Sequence, residues 1–185
     1  MIRRPVEKSG RRALAPDSPA LSGGLGRFAR YNVGVAIVIR DFQLEDFQTL
    51  WRVDQECFPS GIAYSKQELK AYVHDRRAFT LVAEEEPRKA GKPAGFIVVH
   101  SGPTAHVITI DVVAAARRLG VGTLLLQVAE ERLRAAGSRA VSLETAVDNL
   151  AALSFYKRHG YSVIRTWPRY YSNGVDALVL KKGLT

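Results

Sequence analysis

A chain of 185 residues that is 46% hydrophobic is enough for one domain with an ample core plus an appendage. Its single cysteine, Cys57, excludes an internal disulfide and points to the cytoplasm, while no apolar run reaches the roughly eighteen residues of a membrane span and residues 1–34 lack the apolar stretch of a secretory signal. The net charge of +9 raises nucleic-acid binding, but residues 1–40 hold eight Lys and Arg against Glu7 and Asp17, so two thirds of the excess sits at the N-terminal end.

In chain order, residues 1–34 carry Pro5, Pro16, Pro19 and the run Ser22-Gly23-Gly24, and read as a flexible basic tail ahead of one domain at 35–185. A solvated tail without chemistry is the plain reading. An arm for RNA or a ribosome surface, an Arg-rich targeting segment and translation from an upstream start codon stand beside it. Val35 to Arg40 predicts a short strand, and Leu44 to Phe58 carries Leu44, Phe47, Leu50, Trp51, Val53 and Cys57 at helical spacing before Pro59 stops it. Ser65-Lys66-Gln67-Glu68 is a capping box that opens a second helix through Tyr72 and Val73. Strands follow at Ala78 to Glu85, Ala94 to Ser101 and Ala105 to Val113. A third helix from Val121 to Ala136 has Gly137 as its C-cap. Then come strand Ala140 to Thr145, helix Asn149 to His159 with Asp148 as N-cap and Gly160 as C-cap, and strands Tyr161 to Trp167 and Val175 to Leu180. This order, β-α-α-β-β-β-α-β-α-β-β, predicts an α+β layer arrangement on a mostly antiparallel sheet, without repeats or a second domain.

The most informative stretch is Arg117-Arg118-Leu119-Gly120-Val121-Gly122-Thr123, at the junction between a strand and the third helix. Gly120 and Gly122 let the backbone turn tightly and approach an anion, and the first turn of the helix adds N–H donors and the positive end of its dipole. Arg117 and Arg118 add charge at the rim. A Walker loop needs Gly-Lys-Ser/Thr and a dinucleotide fingerprint needs three glycines, and neither is present. The loop reads as a pyrophosphate cradle. Further on, Asn149 and Tyr156 lie seven residues apart with small Ala152 between them, which on a helix places all three on one face able to take a thin pantetheine arm.

Arg-x-x-Gly-x-Gly fits the Q/R-x-x-G-x-G/A signature of the GCN5-related N-acetyltransferases, and the element order from about residue 36 to 182 is similar to theirs. The resemblance implies a mixed, mostly antiparallel sheet of about seven strands with four helices, splayed where acetyl-CoA binds, with no metal. Glu144 followed by Asn149, Ala152 and Tyr156, with Arg169-Tyr170-Tyr171 later, narrows the resemblance to Nα-acetyltransferases of the ribosomal-protein-alanine type. In that family the position of Glu144 is the proton acceptor, that of Asn149 binds the cofactor and that of Tyr156 is the proton donor. The resemblance puts His106 where some members have a Tyr that helps deprotonate the amine through water. It puts Phe58 and Pro59 in the wall of the N-terminal-residue pocket and Tyr170 and Tyr171 on a hairpin that clamps the peptide. Backbone groups of Val112 and Val113, the loop Arg117, Arg118, Leu119, Gly120, Val121, Gly122 and Thr123, and Asn149 and Tyr156 would hold acetyl-CoA. The implied partner is a protein or peptide N-terminus, with a ribosome or ribosomal protein as a further partner, no membrane, and nucleic acid only through the basic tail. Ala114-Ala115-Ala116, where members often have Pro, and Ser60-Gly61-Ile62-Ala63, where many have an acidic or aromatic residue, depart from the pattern.

Other candidates have plainer readings. Cys57 occupies an apolar helix position with no base nearby in sequence, and His74, His100 and His159 lack metal-ligand spacing. His106 alternates with Ile108 and Ile110, so a hydrogen-bonded strand histidine competes with a substrate or water ligand. Glu84-Glu85-Glu86 reads as a solvated run. Two alternatives to N-terminal acetylation stand: acetylation of a small amine or a lysine side chain, and a ribosome- or nucleic-acid-binding module with incidental catalysis.

Overall fold

The computed structural model describes residues 28–32, 35–59, 61–86 and 93–184. Eight strands form one sheet: β1 (Phe28–Asn32), β2 (Val35–Asp41), β3 (Ala78–Glu86), β4 (Gly95–His100), β5 (Thr104–Val112), β6 (Ala140–Ala146), β7 (Ser162–Trp167) and β8 (Ala177–Gly183), in the order β1-β2-β3-β4-β5-β6-β8-β7. Every neighbouring pair is antiparallel except β5 and β6. Four helices accompany it: α1 (Phe47–Cys57), α2 (Lys66–Val73), α3 (Val121–Ala135) and α4 (Leu150–Arg158). None of the described helices is long and apolar enough to cross a membrane.

Both faces of the central strands are covered, which is why β4 is apolar from Gly95 to Val99 rather than alternating. Phe96 and Val98 pack with Leu50, Val53 and Leu69 of α1 and α2, while Ile97 and Val99 pack with Leu125, Ala129 and Leu133 of α3. The capping box forms as the sequence predicts: Ser65 Oγ accepts from Glu68 N at 3.2 Å, and Ser65 N donates to Glu68 Oε2 at 2.9 Å.

Three expectations change. Among the described residues the sheet reaches back to Phe28, not Val35, because residues within the segment read as tail pair with β2 in the register Phe28↔Ile39. Residues 1–27 lie outside the described residues, and the tail reading with them. The N-cap of α4 is Asn149 rather than Asp148: its Oδ1 accepts from Ala152 N at 3.1 Å. Finally, Glu84 is not solvated, since Arg40 Nη2 donates to its Oε1 at 2.6 Å and its side chain is 18% exposed.

The site depends on one irregularity. β5 spans nine residues and β6 seven, yet they share only three register pairs, Thr104↔Ala140, Ala105↔Val141 and His106↔Ser142. Just beyond, the β4–β5 register jumps from Val99↔Val107 to Val98↔Thr109, leaving Ile108 as the extra residue of a bulge. A bulge bends its strand. β5 and β6 therefore part after His106, and the sheet opens between them.

Candidate active site

At the point where the strands part, His106 Nε2 lies 3.0 Å from Glu144 Oε2, with the two side chains 19% and 14% exposed. The β6 alternation puts Ser142 and Glu144 on the same side as His106, and the pairing His106↔Ser142 fixes their level. His106 Nδ1 is 3.3 Å from Ser142 Oγ, which donates to Ala105 O at 3.3 Å. An acid and an imidazole thus face each other at 3.0 Å where the strands part.

The other strand of the opening leads to the cradle. After β5 a single 3-10 turn, Ala114–Ala116, buries Ala116, and the chain then takes a left-handed residue at Arg118 (φ 66°) and another at Gly120 (φ 85°). Left-handed residues spaced this closely turn successive N–H groups to one side, and the first-turn donors of α3 follow at once. Gly120 makes no side-chain cap, and a Cβ built on it meets nothing within 4 Å, so its positive φ favours glycine while the space above it stays open. Val121, 1% exposed, anchors the helix entrance in the core. Arg117, Arg118, Leu119 and Gly120 are exposed, Gly122 and Thr123 half-buried. The arrangement fits a pyrophosphate: open backbone donors, a helix N-terminus and two exposed arginines.

Val112 and Val113 are less free than the sequence suggests. Val112 O accepts from Arg117 Nε at 3.1 Å and from the Cys57 thiol at 3.4 Å, Val113 N donates to Ala94 O at 3.0 Å, and Val113 O accepts from Ala116 N at 2.9 Å. A pantetheine amide reaching Val112 O has to displace Arg117. Asn149 Oδ1 is engaged in the cap of α4. Tyr156 is 5% exposed and packs edge-on against Phe155 and Tyr161, at ring separations of 5.1 and 5.4 Å. Phe155 in turn lies along Gly122, 3.5 Å from where a Cβ would stand, so α4 and the cradle are in direct contact.

The remaining wall comes from two loops that meet. Phe58 caps α1 through Asp54 O at 3.1 Å, and Pro59 O accepts from Ile62 N and Ala63 N at 3.0 and 3.2 Å. Gly61 O accepts from Ser172 Oγ at 2.8 Å, and a Cβ on Gly61 would stand 2.7 Å from that oxygen with φ at +89°. Ile62 packs with Tyr170, Tyr171 and Val175 against Ala146 and Ala177. The tyrosines divide: Tyr171 is 6% exposed and serves packing, whereas Tyr170 is half-buried, edge-on to it at 5.2 Å. Tyr64, which the sequence reading passed over, fastens this wall to the opening. Its N–H donates to Asp54 Oδ2 at 2.7 Å and its hydroxyl to Ile108 O, at the bulge, at 3.2 Å. A tyrosine between Ala63 and Ser65 carries no local mark of that job.

Cys57 sits near the opening but is a poor nucleophile. Burial, and then the charge of Asp111, push its thiol up to about 11. Cys57→Ala is expected to keep near-full turnover, and its wild-type thiol to alkylate slowly with iodoacetamide at pH 8; loss of activity in that variant would give Cys57 a chemical role.

A splayed mixed sheet with an anion cradle on one side of the gap and an acid on the other is the build of an acyl-transferring enzyme. The chain belongs to the acetyltransferase (GNAT) family, whose model matches residues 44–161. It is 35% identical over 116 residues to N-alpha-acetyltransferase 30 of Schizosaccharomyces pombe, covering 62% of this chain and 77% of that protein. It is 30% identical over 165 residues to the N-alpha-acetyltransferase of Sulfurisphaera tokodaii, covering 83% and 96%. Among solved structures, Ard1 from Thermoplasma volcanium superposes with a TM-score of 0.72 at 25% identity over 80% of this chain and 98% of that one. The chain is an acetyl-CoA-dependent N-acetyltransferase.

Proposed function

We propose that this enzyme transfers acetyl from acetyl-CoA directly to the α-amine of a protein or peptide N-terminus in the cytoplasm. The observation that carries this reading is the His106–Glu144 contact of 3.0 Å at the point where β5 and β6 part. The two relatives named as N-alpha-acetyltransferases support it.

An α-amine titrates near about 7.7 to 8.0, so a sizeable minority is neutral at pH 7 and a modest base acting through one water suffices for the rest. The neutral nitrogen attacks the thioester carbonyl, the C–N bond forms as the C–S bond breaks, the amine proton passes to Glu144 or His106, and CoA leaves as its thiolate. Tyr156 is assigned to the sulfur: a phenol stabilises developing charge there even where full proton transfer is unfavourable. The first-turn N–H groups of α3, with Arg117 and Arg118, hold the pyrophosphate. Phe58, Pro59 and Tyr170 stand on the loops that would receive the N-terminal residue and its backbone.

The test is acetylation of short peptides beginning with Ala, Ser, Met, Thr and Gly, alongside lysine peptides with blocked N-termini, read by mass. Reaction of the free N-termini alone is expected. Reaction of only the blocked peptides assigns the enzyme to lysine or small amines, and CoA binding without any reaction assigns it to a binding role.

A further inference from the structure

We propose that the sheet face beside Glu144 selects peptides carrying an acidic residue three or four positions from the acetylated end, and that Lys181 and Arg165 recognise it. The proposal rests on the reading that a peptide N-terminus is the substrate.

The strand register sets these two cations next to the site. Glu144 stands opposite Val179 on β8 and Val179 opposite Arg165 on β7, so the three form one row across a single face of the sheet. Ser142, Lys181 and Ser162 form the adjacent row on that face, which the pair His106↔Ser142 extends to the imidazole. On the other side of the Glu144 row, Ile62, Tyr170 and Tyr171 close over Ala146 and Ala177. α1 and α2 lie on this same face, but the apolar cluster they build takes in Val82, Phe96 and Val98 and no residue of β6, β7 or β8. All six residues of β7 are exposed. A peptide whose first residue sits at Glu144 therefore has the face of β8 and β7 beside it to lie along.

Charge says which peptide fits. Residues 149–185 carry six Lys and Arg against Asp176 alone, and Asp176 Oδ1 already accepts from Arg169 N at 2.7 Å. Lys182, which alternation turns to the opposite face, is spent on Glu130 at 2.6 Å. Lys181 and Arg165 have no such neutralising acid: among the described residues neither is paired with a carboxylate. Arg165 is exposed and rests over the Trp167 ring, its Cζ 4.9 Å from the centroid, and a stacked guanidinium keeps its N–H edge available for a bidentate carboxylate. Strands lie about 4.8 Å apart, so the backbone of Arg165 is about 10 Å from that of Glu144, a span that an extended peptide covers in about three residues. The face thus offers a carboxylate at one end and two cations at the other. A free amine followed at that distance by an acid matches both ends. A nucleic acid, charged at every unit, would set a phosphate against Glu144, and a second copy of this face would set cation against cation.

The test compares kcat/KM for two C-terminally amidated peptides that begin with the residue acetylated best in the assay above, one with glutamate at its third and fourth positions and one with lysine there. Wild-type enzyme should favour the glutamate peptide about tenfold at low salt, and the ratio should shrink toward one as NaCl is raised to about 0.5 M. Arg165→Glu combined with Lys181→Glu should reverse the order, and Arg165→Lys should keep it. Because each ratio is taken within one preparation, loss of folded protein in a variant does not mimic the reversal. Equal rates in the wild type, a preference that survives high salt, or the same preference in the double variant overturns the proposal. Equal rates together with binding of a single-stranded RNA oligonucleotide that the double variant loses also overturns it and gives the face to nucleic acid. If neither peptide reacts, the N-terminal reading falls and this proposal with it; if both react alike, only this proposal falls.

Discussion

Glu144→Gln is expected to lower turnover by about two orders of magnitude or more, to move the pH optimum upward, and to leave CoA affinity nearly unchanged. The substitution keeps the shape of the side chain and a hydrogen-bonding contact with His106, but an amide accepts no proton. With Glu144 unable to take a proton the variant depends more heavily on amine that is already neutral, so the rate should climb with pH through and beyond the titration of the peptide α-amine, near about 7.7 to 8.0. CoA affinity should hold because the cradle at Arg117–Gly122 lies across the opening from β6, and its donors belong to the backbone and to α3. Release of free CoA thiol across a pH series, with calorimetry for binding, separates the two effects. Equal turnover in the variant would remove Glu144 from the mechanism, and a fall in CoA affinity of the same size would make it a cofactor-site residue instead.

What the sequence makes legible here is local. The Ser65–Glu68 capping box, the left-handed glycine at 120 and the stop at Pro59 are each decided by a few adjacent residues, and each forms as expected. The pair Asp148-Asn149 shows where this ends. Both residue types cap helices well, and only the backbone path out of β6 decides that Asn149 takes the role. β1 escaped because Phe28–Asn32 has no strong alternation and follows a tail of Pro, Gly and Arg. Pairing with β2, not propensity, makes it a strand. The partnership of His106, Ser142 and Glu144 depends on the parallel register of two strands separated by the whole of α3, and no short pattern encodes a register of that range. Tyr171 illustrates the same limit, since nothing in Tyr170-Tyr171 says which ring faces Ala146 and Ala177.

Glu130→Ala is expected to cost about 2 to 4 kcal/mol of folding stability, the largest stability loss anticipated for a residue outside the apolar core. Glu130 is 4% exposed on α3. Its Oε1 accepts from the Tyr161 hydroxyl at 3.0 Å, and its Oε2 from Lys182 Nζ at 2.6 Å and Arg134 Nη2 at 3.2 Å. One acid therefore ties α3 to the start of β7 and to β8. The lower part of the range reflects solvent at the cations, whose side chains are 22% and 41% exposed. Removing the carboxylate strands the buried Tyr161 hydroxyl, whereas Glu130→Gln keeps an acceptor for it and should lose less. A pH series checks the same network independently. Burial, and then the charge of Glu130, raise the Tyr161 phenol well above its ordinary range. A group whose proton is held more tightly in the folded state contributes stability that is complete below the unfolded value, near about 10, and declines as pH rises above it, by up to about 1.4 kcal/mol per pH unit. Tyr161→Phe should thus be less stable than the wild type at pH 7, having lost a hydrogen bond to a charged acceptor, yet decline less steeply between pH 10 and 11. Parallel decline in the two proteins, measured by urea unfolding at each pH, would show that the Tyr161 proton is held no more tightly in the folded molecule than in the unfolded chain.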